Sequence, residues 1–520
     1  MGKKRVLVPA EEVDFSTVKY EPQDFQAPHL TGWVLKLFVK ILQIPLIRHF
    51  IMSNLQKRNG LYQVLRNSVI PEAPMYNPQF PPQEKEEGVV TVDEDGKPEE
   101  RVEVALNYLP RYDPASRWNG TDLATPFRYW KIRDYAHAYR SNLVTPSMVA
   151  EHVISVIKEF SKKQPPMPLL LSFDEEDVRK QAAASTKRFE QGNPISILDG
   201  IFMAIKDDID CYPHPTTGTL YSHLSVYLPF LDITTRNPHA VDRYTGGSSS
   251  GSTAIVASGI CSAALGTDAG GSVRIPSSLC GVLGLKTTHG STNMEGVCGE
   301  HNAVLVVGPI ATSVEDVILL YASILGSSAT DRISLNPSPP CLPNLASLES
   351  INALGSLRLG KYTEWFNDVL STDVSDKCED ILNLLPKTHG CRMEEIVIPE
   401  LPEMRTAHLV AMAESLCSLL PYVEEGKHVS LDIQTNIAFF QAFTASDFVA
   451  SQCLRRRFMH YHLKIFRNVD VIVTPTTGMT APIIPPSALQ CGESNLRVTA
   501  YLMRFVLAAN LLGFPAITVP

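Results

Sequence analysis

The sequence lacks the features that mark several large classes of protein. None of its ten cysteines lies in a C-x-x-C pair, which argues against a zinc ribbon or a disulfide scaffold and suits a reducing compartment. No stretch of about 18 uncharged apolar residues could form a membrane-spanning helix. No apolar region follows the basic start at Lys3, Lys4 and Arg5 to complete a secretory signal. Basic residues are outnumbered by acids, 46 to 55, so general nucleic-acid binding is not expected.

What is present is the composition of a large globular protein. The chain has 520 residues, of which 44% are hydrophobic, enough to bury a sizeable core. Short apolar strands, at residues 200–205, 357–361 and 469–473, alternate with helical patterns at 175–191, 406–420 and 445–466. Thr145 followed by Pro146 predicts the start of a further helix. The alternation predicts an α/β fold with a central sheet covered by helices on both faces.

Charge and proline divide the chain into three parts. Residues 1–70 are predicted to be an N-terminal helical extension. Residues 71–127 contain a proline cluster followed by an acidic run and are predicted to be a surface connection. Residues 128–520 are predicted to be the main domain.

The N-terminal extension contains a basic, apolar segment. Residues 29–60 carry five basic side chains and no acid, although the whole chain is acidic. On a helix, Lys36, Lys40 and Gln43 share one narrow stripe, while Trp33 and other apolar side chains cover the remainder. This pattern is typical of a helix lying on a membrane surface. A helix packed on the protein's own core, or on a dimer partner, explains it equally well.

Residues 246–272 form an unusual glycine- and serine-rich block. They contain seven glycines and seven serines, with Asp268 as the only charged residue. Glycine at this density lets backbone N–H groups approach another molecule closely, and serine supplies hydroxyls. A phosphate-binding loop is disfavoured because no lysine follows Gly251 or Gly271.

A nucleophile elbow is a second interpretation of this block. Residues 247–251 match the G-x-S-x-G pattern with Ser249 at its centre. Such an elbow follows a strand, however, and residues 236–245 are polar and interrupted by Pro238. The match is therefore interpreted as an effect of composition.

A third interpretation accounts for the spacing of the whole block. The segments GGSSSGS at 246–252, GTDAGGSVRIP at 266–276 and GVLGLKTTHG at 281–290 resemble the amidase signature. The resemblance extends to MAIKDDI at 203–209 and ANLLGFP at 509–515, so it covers roughly residues 128–520, with the catalytic core at 200–290. The N-terminal extension resembles that of plant fatty acid amide hydrolases.

The resemblance implies a Ser–cis-Ser–Lys triad on a large mixed sheet. Ser272 maps to the nucleophile, Ser248 to the bridging serine that follows a cis peptide, and Lys206 to the base. The oxyanion hole would be formed by backbone amides of four residues: Ala269, Gly270, Gly271 and Ser272. No metal or organic cofactor is implied.

The chemistry of the residues agrees with this assignment. A serine hydroxyl needs a base to take its proton, and the block contains no histidine. A lysine amine can serve only when neutral, which desolvation favours and nearby acids oppose. Asp207, Asp208 and Asp210 oppose it if they face Lys206, so the sequence leaves its protonation open. Arg274 is interpreted as structural, pairing with Asp268 or with a carbonyl.

The implied function is hydrolysis of fatty acid amides such as N-acylethanolamines to a fatty acid and an amine, through an acyl-enzyme on Ser272. The expected partners are a lipid amide substrate, a membrane surface contacted through residues 29–60, and a second copy of the chain, with no nucleic acid. The expected location is the cytosolic face of the endoplasmic reticulum or plasma membrane. The alternatives are a soluble amidase for small amides and a catalytically impaired remnant.

Two departures from the family pattern favour the impaired form. Only 41 residues separate Lys206 from Ser248, where relatives carry a longer segment with a helix, a strand and a substrate-lining loop. The chain also stops at Pro520, where the family continues. We therefore expect unpartnered apolar surface at residues 218–231 and 507–519, and slow hydrolysis.

Overall fold

The computed structural model describes residues 4–22, 24–81, 88–93, 96–115, 127–217, 234–299, 302–326, 340–349, 354–417, 420 and 429–520. The helices are α1 (Gly32–Leu42), α2 (Pro45–Arg58), α3 (Leu61–Leu65), α4 (Pro98–Asn107), α5 (Ile132–Arg140), α6 (Pro146–Lys162), α7 (Glu175–Glu190), α8 (Ser250–Ala257), α9 (Arg274–Cys280), α10 (Val314–Ile324), α11 (Thr363–Phe366), α12 (Thr372–His389), α13 (Leu401–Ala411), α14 (Leu431–Phe440), α15 (Ala445–Ile465), α16 (Ala488–Cys491), α17 (Leu496–Met503) and α18 (Leu507–Leu512). The strands are β1 (Arg5–Val6), β2 (Leu30–Thr31), β3 (Ser68–Val69), β4 (Val89–Thr91), β5 (Met203–Ile205), β6 (Arg236–Asn237), β7 (Ala240–Tyr244), β8 (Ala263–Asp268), β9 (Leu283–Lys286), β10 (Val306–Ala311), β11 (Cys341–Pro343), β12 (Arg358–Lys361), β13 (Arg392–Glu395), β14 (Val471–Ile472), β15 (Glu493–Ser494) and β16 (Ala516–Thr518).

A mixed sheet forms the centre of the molecule. Its strand order is β16-β9-β10-β8-β5, with β8 antiparallel to β10 and parallel to β5. Ile205 lies opposite Leu265 in this register, so the chain leaves β5 and β8 at the same end of the sheet. Residues that follow these two strands, Lys206 and Ala269, are therefore brought to one edge of the fold.

Both faces of the sheet are covered by helices. Ala264 and Ile310 face one core cluster, which includes Val149 of α6 and Ile255 of α8. Their neighbours on the same strands face the opposite cluster, which α4 and α10 complete. Because adjacent residues of a strand point to opposite faces, a strand covered on both faces must be apolar on both. This holds for all of β10 and for the first four residues of β8. The predicted α/β architecture is confirmed.

The predicted helices are found with small shifts at their ends. Thr145 accepts a hydrogen bond from the amide of Met148 and caps α6, as its position before a proline predicts. The helix predicted at 406–420 begins earlier, at Leu401. Its α-helical part ends at Ala411, and a 3-10 turn at Met412–Glu414 and helical residues 415–417 follow. Pro402 lies in the first turn of this helix, a position that proline favours. It marks the start of the helix in the sequence, and the sequence analysis did not use it.

A smaller parallel sheet, β13-β12-β14, lies in the second half of the chain. The predicted strands at 357–361 and 469–473 correspond to β12 and β14. The helix predicted at 445–466 is α15, and it forms many of the contacts that join this half to the N-terminal extension.

The N-terminal extension packs on the rest of the chain. Leu7, Phe25 and Met52 are buried in one cluster with Phe458 and Tyr461 of α15. Helix α4, from the segment predicted to be a surface connection, contributes buried apolar side chains to the core under β8. Among the described residues, no helix combines the length and the apolar character needed to cross a bilayer.

The C-terminal segment corrects one expectation. Leu507, Leu511 and Leu512 of α18 are buried, so most of residues 507–519 has a partner in the core, contrary to the prediction of unpartnered apolar surface. Only Ile517 and Val519, on and beside β16, keep large exposed fractions, 48% and 62%. The other segment of that prediction, 218–231, lies outside the described residues.

Candidate active site

Lys206 lies directly after β5, with its side chain buried in the molecule. Its Nζ donates hydrogen bonds to Ser248 Oγ at 2.8 Å and to Thr267 Oγ1 at 2.5 Å. Asp208 Oδ2 lies 3.0 Å from the same nitrogen. The lysine nitrogen therefore donates to two hydroxyls and lies against one carboxylate oxygen.

Ser248 lies in the turn between β7 and α8, and the Gly247–Ser248 peptide is cis. The neighbouring amide of Ser249 donates a hydrogen bond to the carbonyl of Ser272 at 3.1 Å. Within the part of the chain that the structure describes, the Ser272 hydroxyl forms no hydrogen bond with Ser248. The structure thus brings Lys206 and Ser248 into direct contact and joins Ser272 to them through the backbone.

Ser272 lies in the short loop between β8 and α9, which Asp268 organises. The buried Asp268 carboxylate accepts hydrogen bonds from the amides of Gly271, Val273 and Arg274. Burial would raise the pKa of this carboxyl, but the charge and hydrogen bonds of Arg274 outweigh burial and hold the pKa far below its ordinary value. The expected structural pairing of Arg274 with Asp268 is confirmed.

The same contacts limit the predicted oxyanion hole. The amide of Gly271 donates to Asp268 at 2.7 Å, so it is already engaged within the loop. Glycine is needed at this position because its φ is +97°, a conformation that other residues rarely adopt. The amides that remain for an oxyanion, of the four predicted, are those of Ala269, Gly270 and Ser272.

The structure decides which acid faces the lysine. Asp208 contacts Lys206 and also accepts a hydrogen bond from Thr267 Oγ1 at 2.6 Å. Asp207 instead bonds the amide and hydroxyl of Thr217, and Asp210 lies beside Gly296. Of the three acids, Asp208 is therefore the one that contacts the lysine.

Three side chains of the site were missed by the sequence analysis. Thr267 bridges Lys206 and Asp208, and Asn510 bonds both Asp268 and the Arg274 guanidinium. His408, on α13, bonds the carbonyl of Ala269 at 2.8 Å. Thr267 lies in the segment 266–276 and Asn510 in the segment 509–515, and both segments carry the resemblance to the amidase signature, so the sequence could have identified these two residues. Nothing near His408 in the sequence marks it as part of the site.

Ser249, the central serine of the possible nucleophile elbow, has a structural role. A strand, β7, does precede the block, contrary to the expectation, but it pairs with β6 in a separate two-stranded hairpin. Ser249 is buried and its hydroxyl donates to the carbonyl of Thr267 at 3.3 Å. A Cβ at Gly266 would lie 2.5 Å from that hydroxyl, so the close packing of α8 on β8 requires glycine there. These contacts place Ser249 as a packing residue between helix and strand.

Across the described ranges, no three histidine, cysteine or acidic side chains are grouped so that they could hold a metal ion.

Comparison with known proteins gives a consistent result. The Amidase family matches residues 223–520 of the chain. A fatty acid amide hydrolase from Medicago truncatula is 59% identical over 557 aligned positions that include 100% of this chain and 91% of the relative. The Arabidopsis thaliana fatty acid amide hydrolase is 58% identical, with 100% of this chain and 92% of the relative covered.

The alignments are longer than the chain. They run over 557 positions although the chain has 520 residues, so parts of these relatives lie opposite gaps in this chain. Among solved structures, a bacterial aryl acylamidase of the amidase signature family aligns with a TM-score of 0.61 at 21% identity, covering 76% of this chain and 90% of that one. At that identity the likeness shows the fold.

Proposed function

The chain belongs to the amidase family, and from this premise we propose that the amide hydrolase cleaves fatty acid amides such as N-acylethanolamines. The products are a free fatty acid and an amine, ethanolamine in that case. The full-length similarity to two plant fatty acid amide hydrolases supports the substrate class. The observation that carries the mechanism is the 2.8 Å contact of Lys206 with Ser248, beside the loop of Ser272.

In the proposed first step Ser272 Oγ attacks the substrate carbonyl carbon. Its proton passes to Ser248 Oγ while the Ser248 proton passes to Lys206 Nζ, which must be neutral at that moment. The three acceptors around Nζ then hold the ammonium that results. The tetrahedral oxyanion is held by the amides of Gly270 and Ser272, with Ala269 as a further donor.

Collapse of the tetrahedral intermediate breaks the C–N bond. The proton returns from Lys206 through Ser248 to the nitrogen of the leaving amine, because an amine anion is too basic to leave unprotonated. This leaves an ester between Ser272 and the acyl chain. A water molecule then attacks the ester through the same relay, releasing the fatty acid and restoring Ser272.

We place the enzyme at a membrane surface, through residues 29–60. Trp33, Leu46 and Phe50 are 74%, 85% and 69% exposed on the surface of α1 and α2, with Lys36 and Lys40 also exposed. Exposed apolar side chains among basic ones suit the boundary of a lipid bilayer. A lipid amide could then enter from the membrane, at the cytosolic face of the endoplasmic reticulum or plasma membrane. A homodimer through the same helices is compatible with this surface.

The proposal is tested with an alkyl fluorophosphonate, which modifies activated serines. We expect it to label the purified chain at Ser272, located by peptide mass spectrometry, and to label Ser249→Ala but not Ser272→Ala. Labelling that persists in Ser272→Ala, or that maps to Ser249, contradicts the assignment of the nucleophile.

The two alternatives predict different turnover. A soluble amidase for small amides would hydrolyse a short amide faster than a long-chain N-acylethanolamine. An impaired remnant would be folded but slow, and inserting the segment that the family pattern leads us to expect between Lys206 and Ser248 would then raise its turnover. Equal turnover of both forms would exclude impairment by the missing segment.

A further inference from the structure

The carbonyl of Ala269 is held by a side chain from a distant helix. His408, on α13, lies 139 residues away in sequence, and its Nε2 is 2.8 Å from this carbonyl oxygen. A carbonyl can only accept a hydrogen bond, so Nε2 carries the proton and Nδ1 carries the lone pair. Nδ1 is buried and has no hydrogen-bond partner among the described residues. The ring is therefore fixed by one bond, to the loop that precedes Ser272.

The ring also packs against the next residue of that loop. A Cβ on Gly270 would lie 3.1 Å from His408 Cε1 and 2.7 Å from Met503 Cε. His408 is 0% exposed. Burial lowers its pKa to about 4, so the ring is neutral near pH 7 and keeps the proton arrangement that the bond requires.

The contact has a geometric consequence for catalysis. The Ala269 carbonyl and the Gly270 N–H belong to one peptide group, which is trans. In a trans peptide the C=O and N–H point in opposite directions. With the carbonyl directed at His408, the Gly270 N–H points away from the ring. A hydrogen bond to the carbonyl also polarises the peptide and makes its N–H a stronger donor.

We propose that His408 is a positioning residue that orients the Gly270 amide toward the oxyanion formed during attack by Ser272. This inference rests on the proposed function, since it presupposes the acyl-enzyme on Ser272. His408 contacts neither the substrate nor the reacting atoms. It acts through the Ala269–Gly270 peptide.

Two substitutions that replace the imidazole of His408 by a side-chain amide provide the test. The side-chain nitrogen of a glutamine reaches about as far as histidine Nε2, whereas that of an asparagine ends near the position of Nδ1. We expect His408→Gln to keep kcat within about 3-fold of the original enzyme. We expect His408→Asn and His408→Leu to lower kcat by about 10-fold or more, since loss of one oxyanion donor costs about 100- to 1000-fold in other hydrolases. KM should change little, because the oxyanion exists only in the transition state.

A trifluoromethyl ketone supplies a second readout, because its adduct with Ser272 carries the same oxyanion. Its inhibition constant should rise in His408→Asn by about the factor by which kcat/KM falls. The matched control is His462→Leu. His462 is also buried, has a pKa lowered to about 4 by burial, and bonds a carbonyl, that of Phe458, but within its own helix.

The outcomes separate the two proposals. Full activity in Ser272→Ala overturns the proposed function itself. An inactive Ser272→Ala together with equal kcat in His408→Gln and His408→Asn overturns only the role of His408. An effect confined to KM, or one that His462→Leu reproduces, shows a structural role and also overturns it. Each variant is compared at equal folded concentration, measured by thermal unfolding.

Discussion

At the scale of single residues, the surroundings of Lys206 decide how the site can work. The lysine nitrogen donates hydrogen bonds to Ser248 and Thr267, and a carboxylate oxygen of Asp208 lies 3.0 Å from it. Attack by Ser272 needs this nitrogen as a base, and departure of an amine needs it as an acid. The three contacts hold the side chain in place for both roles.

Replacing Lys206 by alanine should affect amides more than esters. The leaving amine needs a returned proton, whereas an alkoxide leaves more readily without one. We expect Lys206→Ala to lower the acylation rate by about 100-fold or more on a fatty acid amide, and by a smaller factor on the matching ester. Stopped-flow measurement of acylation with both substrates checks this. Equal losses on amide and ester would remove Lys206 as the acid.

At the scale of secondary-structure elements, α1 and α2 have two different surfaces. Leu35, Val39 and Leu42 recur on one face of α1 and are buried against the protein. The opposite face carries Trp33 and Leu37, which stay exposed. The sequence pattern left open whether the helix contacts the protein's core or a membrane, and the structure shows that one face contacts the core while leaving the other free.

Removal of residues 1–60 is a poor test of membrane binding for this reason. The deletion would take Leu7, Phe25 and Met52 out of a shared core cluster. Substitutions on the exposed face leave that cluster intact and therefore test membrane binding separately from stability.

We expect the triple variant Trp33→Ser, Leu46→Ser and Phe50→Ser to lose binding to phospholipid vesicles. The original chain should stay bound in high salt, because hydrophobic contact persists when charges are screened. Co-sedimentation with vesicles in low and high salt measures both. Release by salt alone would show that the attachment is electrostatic. If the variant breaks a dimer but still binds vesicles, the helices form the partner interface.

The control for this experiment is a set of exposed apolar side chains elsewhere. Leu143, Leu171 and Ile195 are 54%, 52% and 61% exposed on other parts of the surface. Their triple replacement by serine should leave vesicle binding unchanged. An equal loss in the control would show that binding reflects general surface hydrophobicity.

At the scale of the whole molecule, Asp316 makes stability depend on pH. This residue of α10 is buried, and one carboxyl oxygen accepts from the amide of Ile132 at 3.0 Å while the other has no partner among the described residues. Burial raises the pKa of Asp316 to about 7 from an ordinary 3.8. Between these values the folded chain holds a proton that the unfolded chain has lost. The contribution of Asp316 to stability is therefore full below pH 3.8 and declines as pH rises to about 7.

Asp316→Asn should remove this dependence. Asparagine keeps an oxygen for the Ile132 amide and carries no charge at any pH. We expect the free energy of unfolding of the variant, relative to that of the original chain, to rise by about 3 kcal/mol between pH 5 and pH 8. Urea unfolding of both proteins at the two pH values measures it. A difference that does not change with pH would contradict the raised pKa.

The sequence by itself determined the parts of this protein that are encoded locally. The Gly/Ser block and the strand before Lys206 pointed to an amidase through their resemblance to the amidase signature, because the residues that carry that signature lie in short continuous segments. Capped helices such as α6 followed from Thr145 and its proline, since a cap depends on its immediate neighbours. The alternation of elements gave the layered α/β fold.

Only the tertiary structure decided which groups meet. The choice among Asp207, Asp208 and Asp210 depends on the direction in which the chain leaves β5 beside β8. The bond of His408 to Ala269 joins two segments 139 residues apart, and the exposed face of α1 is defined by what covers its other side. Such contacts depend on how distant elements pack, and short-range sequence patterns carry no record of that packing.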